Sequence, residues 1–298
     1  MKKAITCLLC VLIAQFGYAQ HSGIYPLSLL KLKDNYILDN PAAAVLAETP
    51  DIKLITSHYT GLGGKVGLNF LNINIPLQNK AKTSSHFPGV MIHSEFETAI
   101  LKRTRVYFRY SYNRNLTAST KISAGIQAGL FNYFVRSSKS SAGTSLIAPD
   151  AALGIWLHSG KMNIGLSSDQ IFDALIKPIN ALYALNRYFV LLGDYKIFTS
   201  VDYELRAAIK GFYNREHYKG VTSGLSLLLM RNFSVELNYS LNKGFVISGG
   251  VVHFPFLSVY GDLFFSYFNT SGNTTSLTIN RFELNLRVYF AKNPDTGD

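Results

Sequence analysis

Residues 281–290 alternate without a miss, with Phe282, Leu284, Leu286, Val288 and Phe290 set against Arg281, Glu283, Asn285, Arg287 and Tyr289. Successive side chains of a strand point to opposite faces, so one face here is apolar and the other almost wholly polar. Such a strand needs an apolar medium on one side and water on the other. Near the end of a chain that carries an export signal, this is the pattern of a transmembrane β-barrel, whose lipid-facing and lumen-facing residues alternate.

The signal lies at the other end. Residues 1–19 combine Lys2 and Lys3, an apolar run through Ile13, and Gly17, Tyr18 and Ala19 as a small-residue cleavage site before Gln20. The run is interrupted by Gln15 and is shorter than the roughly 20 residues a membrane-spanning helix needs. Cys10 is preceded by Leu8 and Leu9, where lipidation calls for small residues. Both cysteines, Cys7 and Cys10, fall inside the signal, so the exported chain has neither disulfides nor thiolate metal sites.

Beyond Gln20 no apolar run approaches the ~18 residues of a helical span, although 48% of the chain is hydrophobic and 13% aromatic. The apolar content is dispersed into alternating positions instead. Val106, Phe108, Tyr110 and Tyr112 oppose Arg105, Tyr107, Arg109, Ser111 and Asn113; Ile122, Ala124, Ile126, Ala128 and Leu130 oppose Lys121, Ser123, Gly125, Gln127 and Gly129. Val201, Tyr203, Leu205, Ala207 and Ile209 oppose Asp202, Glu204, Arg206 and Lys210. Phe233, Val235, Leu237, Tyr239 and Leu241 oppose Asn232, Ser234, Glu236, Asn238 and Ser240. In 65–75 the apolar positions slip phase, from Val66, Leu68 and Phe70 to Leu71, Ile73 and Ile75, as at a bulge. Arginine should therefore be costly at lipid-side Leu237 and tolerated at lumen-side Asn238.

Turn signals stand at Gly63 and Gly64, Ser159 and Gly160, 242–244 and 271–273, and 169–186, with Pro178, reads as a loop with a helical turn. The expected organisation is a signal peptide (1–19), an irregular segment (20–51), a barrel of about 14 antiparallel strands (52–290), and a tail (291–298). Pro26, Pro41 and Pro50 break the irregular segment, whose Leu27, Leu29, Leu30 and Leu32 must bury against something and are expected to pack in or under the barrel. A soluble β-sandwich would also alternate, but would usually show breaks between domains at this length, and none appear.

No catalytic, cofactor-binding or metal-binding residues are assigned. His93, Glu95 and Glu97 share a strand face at i, i+2 and i+4, which is also what any lumen face shows. His158 and Ser159 are adjacent, so they face opposite ways in a strand or sit in a turn with Gly160. The run 61–65 lacks phosphate-loop spacing and reads as a hairpin. Without Lys2 and Lys3 the formal charge falls from +11 to +9, which could attract anionic solutes, lipid headgroups or an acidic partner, or simply serve solubility and a wet lumen. Nothing beyond charge supports nucleic-acid binding.

A series of short pieces resembles the PorP/SprF family. These are Asp39, Asn40, Pro41 and Ala42; 126–129 ahead of Asn132 and Tyr133; Pro149 and Asp150 ahead of Gly154 and Ile155; Ile164, Gly165, Leu166 and Ser167; Gly193, Asp194 and Tyr195; and Asn238, Tyr239 and Ser240. They run in order across essentially the whole exported chain. The chain departs from the family at Ala43 and Val45, where an aromatic residue and a glycine are usual, and at Arg281, Phe282 and Glu283. The resemblance implies a non-enzymatic outer-membrane component of the type IX secretion system, supporting export or surface attachment of cargo, including gliding adhesins. Its implied partners are periplasmic ring lipoproteins, the translocon, a secreted cargo protein and outer-membrane lipid. The alternative is a general porin or solute transporter.

Overall fold

The computed structural model describes residues 29–33, 35–47, 49–60, 66–78, 83–96, 101–136, 143–177, 183–214, 219–241, 244–256, 259–270 and 279–290. The strands are β1 (Asp51–Thr60), β2 (Gly67–Asn74), β3 (Leu77–Gln78), β4 (Ser84–Phe96), β5 (Leu101–Asn115), β6 (Thr120–Val135), β7 (Thr144–Ser159) and β8 (Met162–Asp169). They continue as β9 (Leu175–Ile176), β10 (Tyr183–Ala184), β11 (Tyr188–Thr199), β12 (Tyr203–Asn214), β13 (Lys219–Leu229), β14 (Phe233–Ser240), β15 (Gly244–Phe256), β16 (Val259–Thr270) and β17 (Ile279–Phe290).

Each long strand pairs antiparallel with its neighbours, and β2 pairs with β4, so among the described residues the sheet closes into a barrel of 14 strands. The seam joins the first and last strands, from Asp51 opposite Tyr289 to Thr60 opposite Asn280. Closure leaves the fourteen wall strands without an open edge, which is what permits strands to cross a bilayer. Connections at one end are short, as at 116–119, 160–161, 200–202 and 230–232. Those at the other end include the long stretch between Asp169 and Tyr188.

The burial pattern is inverted relative to a soluble protein. Phe108, Leu130, Ile155, Leu191 and Leu237 are exposed, whereas Arg105, Arg109, Gln127, Glu236 and Glu283 are buried. In β5, residues 106, 108, 110 and 112 face out and 105, 107, 109, 111 and 113 face in, as the alternation requires. In β17 Phe282 and Leu284 face out and Arg281, Glu283 and Asn285 face in.

Several expectations need correction. The phase slip in β2 is not a bulge: its register with β1 runs unbroken from Gly67 to Asn74. Leu68 and Phe70 point inward and bury against Leu38, Ile55, Met91 and Tyr107. Val201 and Asp202 lie in the turn before β12, and Leu241 follows β14. The described part of 169–186 forms the small hairpin β9–β10 rather than a helical turn. It folds over the barrel mouth, where Ile176 and Leu185 pack on Phe131, Tyr133, Val135 and Ala148. His158 and Ser159 end β7, and the turn itself is Gly160 and Lys161. The signals at Gly63, Gly64, Pro178, Asn242, Lys243 and 271–273, and residues 1–28 and 291–298, lie outside the described residues.

Candidate functional site: a lumen filled by the N-terminal segment

Residues 29–33 and 35–47 lie in the barrel interior, the latter as a helical turn (Tyr36–Asp39) followed by a 3₁₀ helix (Pro41–Leu46). Pro41 stands at the first helical position, where its missing N–H costs nothing, and the Asn40 side chain accepts a hydrogen bond from the Ala42 N–H at 2.9 Å. Ala42, Ala43 and Ala44 are almost completely buried. Small side chains let this short helix pass close to the wall.

One seat is built on β5 to β8. Ser111 lies opposite Gly125, Gly125 opposite Gly154, and Gly154 opposite Ser167, so the four form one inward row across four strands. The segment 39–42 follows that row. Ser111 donates to the Pro41 carbonyl at 2.6 Å, and Ser167 donates to the Asp39 carbonyl at 2.5 Å. Between them a Cβ on Gly125 would lie 2.4 Å from the Ala42 nitrogen, and one on Gly154 would lie 2.0 Å from the Asn40 Oδ1. The Asn40 Nδ2 donates to the Ile155 carbonyl at 3.0 Å. Trp156 stacks obliquely on Tyr36 with ring centroids 5.3 Å apart, and a Cβ on Gly165 would collide with that indole. Ser123 donates to the Ala42 carbonyl at 3.1 Å and Asn74 to that of Ala44 at 3.3 Å. Lys210 pairs with Asp39 at 2.6 Å.

A second seat is built on β14 to β17. Glu283 accepts the Leu30 N–H at 3.0 Å and the Lys31 N–H at 3.4 Å; Glu236 accepts the Leu32 N–H at 2.7 Å and the Lys33 N–H at 3.2 Å. Asn238 donates to the Leu30 carbonyl at 3.1 Å. Leu30 packs on Val246 and Phe268, while the Lys31 ammonium lies 3.7 Å from the Phe264 ring centre. Leu30 and Leu32 are thus buried inside the barrel and Leu29 packs against the cluster around Leu38, as the need to hide that run demands. Leu27 lies outside the described residues.

Asn238 is therefore not a spare lumen polar group that an arginine could replace: it is fully buried and holds the segment. Among the described residues, five lumen arginines meet anions or amides. Arg105 and Arg103 meet Glu95 at 2.8 and 3.6 Å, Arg206 meets Asp194 at 2.8 Å, Arg281 meets Glu283 at 3.1 Å, and Arg109 donates to Asn72 at 2.9 Å.

His93 and Glu95 share the inward face of β4, 3.5 Å apart and deeply buried, and the two arginines occupy the carboxylate. Glu97 lies outside the described residues. Among the described residues no group of three or more His, Cys, Asp or Glu side chains is placed to hold a metal ion. His158 Nδ1 sits 2.6 Å from Asn163 Oδ1.

Sequence reasoning identified Asn40, Pro41, Gly154, Gly165 and Ser167 as pieces of a pattern, but not that they meet in space. The available signal was small: Gly125, Gly154 and Gly165 all occupy lumen-side positions, where a bare backbone admits close approach.

Solved structures with the same barrel include the monoaromatic hydrocarbon channel CymD (TM-score 0.58, 9% identity, covering 90% of this chain and 94% of that one). Others are the toluene transporter TbuX of Ralstonia pickettii (0.57, 10%, 91% and 99%) and a FadL homologue of Pseudomonas aeruginosa (0.53, 9%, 91% and 96%). At these identities the likeness is one of fold. A search of curated proteins finds no match. The family model for the type IX secretion system membrane protein PorP/SprF matches residues 25–288, which takes in both the lumen segment and the barrel, and the chain belongs to that family.

Proposed function

We propose that the chain is a non-enzymatic outer-membrane component of the type IX secretion system that supports export or surface attachment of cargo proteins. The family match over residues 25–288 carries this reading. The filled lumen supports it against a general porin, which needs an open water path. In this reading residues 1–19 are the export signal, 20–51 the irregular N-terminal segment, 52–290 the barrel and 291–298 a tail. The short-turn end faces the periplasm and the long-loop end the exterior, following the usual asymmetry of outer-membrane barrels. Its partners are then periplasmic ring lipoproteins, the translocon or a secreted cargo protein.

The test is a deletion strain. Surface display of a particular secreted protein should fall while small-solute uptake stays unchanged, and the purified barrel should conduct poorly in planar bilayers. Large, steady conductance together with normal surface display in the deletion strain would favour a porin instead.

A further inference from the structure

The two seats differ in kind. The Ser111–Gly125–Gly154–Ser167 row fits one shape, because the Asn40 side chain and the Pro41 ring rest on bare glycine backbone. The second seat reads mainly backbone. Glu236 lies opposite Ser248, Ser248 opposite Ser266, and Ser266 opposite Glu283, forming a buried inward row across β14, β15, β16 and β17. The carboxylates at its two ends each grip a pair of successive N–H groups of residues 30–33, and Asn238 takes a carbonyl. None of these five bonds involves a side chain of the resident segment.

The row is also equipped beyond what its resident uses. Among the described residues the Ser248 and Ser266 hydroxyls and the Glu236 Oε2 are buried and make no hydrogen bond. Buried polar groups normally find partners, so two hydroxyls and a carboxylate oxygen left over beside a bound backbone mark capacity for another one. The side chains add a simple pattern: Leu30 packs on Val246 and Phe268, Leu32 joins the buried cluster of Tyr36 and Trp156, and between them the buried Lys31 sets its ammonium over the Phe264 ring.

We propose that the Glu236–Ser248–Ser266–Glu283 row is a receptor for an extended polypeptide segment with aliphatic residues flanking a basic one, and that residues 29–33 are an exchangeable occupant holding the place of a segment of an exported protein. Recognition is by charge-assisted bonds to backbone N–H groups, so it tolerates sequence changes that keep this pattern. The inference rests on the proposed role in export for the source of the second segment. The chemistry of the receptor stands by itself.

The experiment uses the full chain purified in detergent and a fluorescent synthetic peptide copying residues 29–33, with binding followed by anisotropy. Leu32→Pro removes a resident N–H donor and should admit the peptide at least about tenfold more tightly than the unaltered chain, because the competing occupant is weakened. The milder pair Leu30→Ala and Leu32→Ala serves if the proline variant fails to give a heat-modifiable barrel. Methylating the two peptide nitrogens that correspond to Leu30 and Leu32 should cost at least about tenfold, while exchanging leucine for valine should change affinity less than about threefold. Adding Glu236→Gln and Glu283→Gln to the opened variant should also weaken binding. Absence of saturable binding to an opened, folded barrel, or equal binding of the methylated peptide, overturns the proposal. Failure of the export reading would show separately, as normal surface display in the deletion strain.

Discussion

Asn40 rests on Gly154 so closely that a Cβ on the glycine would lie 2.0 Å from the Asn40 amide oxygen and 3.1 Å from the Pro41 ring. The amide cannot swing away freely, because its nitrogen is bonded to the Ile155 carbonyl and its oxygen to the Ala42 N–H. Gly154→Ala should therefore lift the Asn40–Pro41 corner at a cost of about 1–3 kcal/mol, the usual penalty for overpacking. Trp156, the chain's single tryptophan, is 1% exposed against Tyr36 and reports the seat. Red-shifted tryptophan emission with raised bilayer conductance is expected; emission and conductance identical to the parent would show that the corner is not tightly seated.

The Lys210–Asp39 pair ties the segment to β12 at 2.6 Å with both side chains largely removed from water. Lys210→Met should leave the Asp39 carboxylate without its cation and destabilise the seated state by about 1–3 kcal/mol, somewhat below the cost for a fully buried pair because some hydration remains. Lys210→Met combined with Asp39→Leu should recover much of that loss. Urea titration in detergent, read through Trp156, measures the coupling; additive single effects would mean the pair contributes nothing specific.

Period-two alternation made the barrel legible wherever the lumen wall faces water or polar groups, as in β5 and β17. It misled at β2, where Leu68 and Phe70 face inward and look lipid-facing. The reason is physical: Leu38 from the lumen segment brings apolar surface into the barrel at that point, and no local pattern on β2 encodes what sits opposite it. The glycine seat was hidden similarly. Gly125, Gly154 and Gly165 are separated along the chain and become one surface only through strand register, which sequence alone does not fix.

Leu237 and Asn238 are neighbours with opposite surroundings, the first on the outer surface and the second fully buried against the Leu30 carbonyl. Arginine at Leu237 should destabilise the barrel by roughly 2–4 kcal/mol if it sits near the bilayer midplane. Asn238→Arg should also be costly, through a different state: it should expel the 30–33 stretch while the barrel still runs heat-modifiable. Comparing barrel melting with bilayer conductance separates them. Should both variants lower melting alike and leave conductance unchanged, the lipid-side and lumen-side assignment of β14 is wrong.

The hairpin β9–β10 covers the long-loop end through Ile176 and Leu185, both buried on the inward residues Phe131, Tyr133 and Val135. A hairpin this short is marginal without such anchoring. Leu185→Asp should therefore release it, since a carboxylate cannot be buried among these side chains without a partner. The fourteen-strand wall does not depend on the hairpin, so barrel melting should stay close to that of the parent. With the proposed orientation the released loop becomes a substrate for protease added to intact cells, giving two fragments that the parent chain does not yield. Cleavage of the purified variant but not of the variant on intact cells would place this end in the periplasm and reverse the orientation.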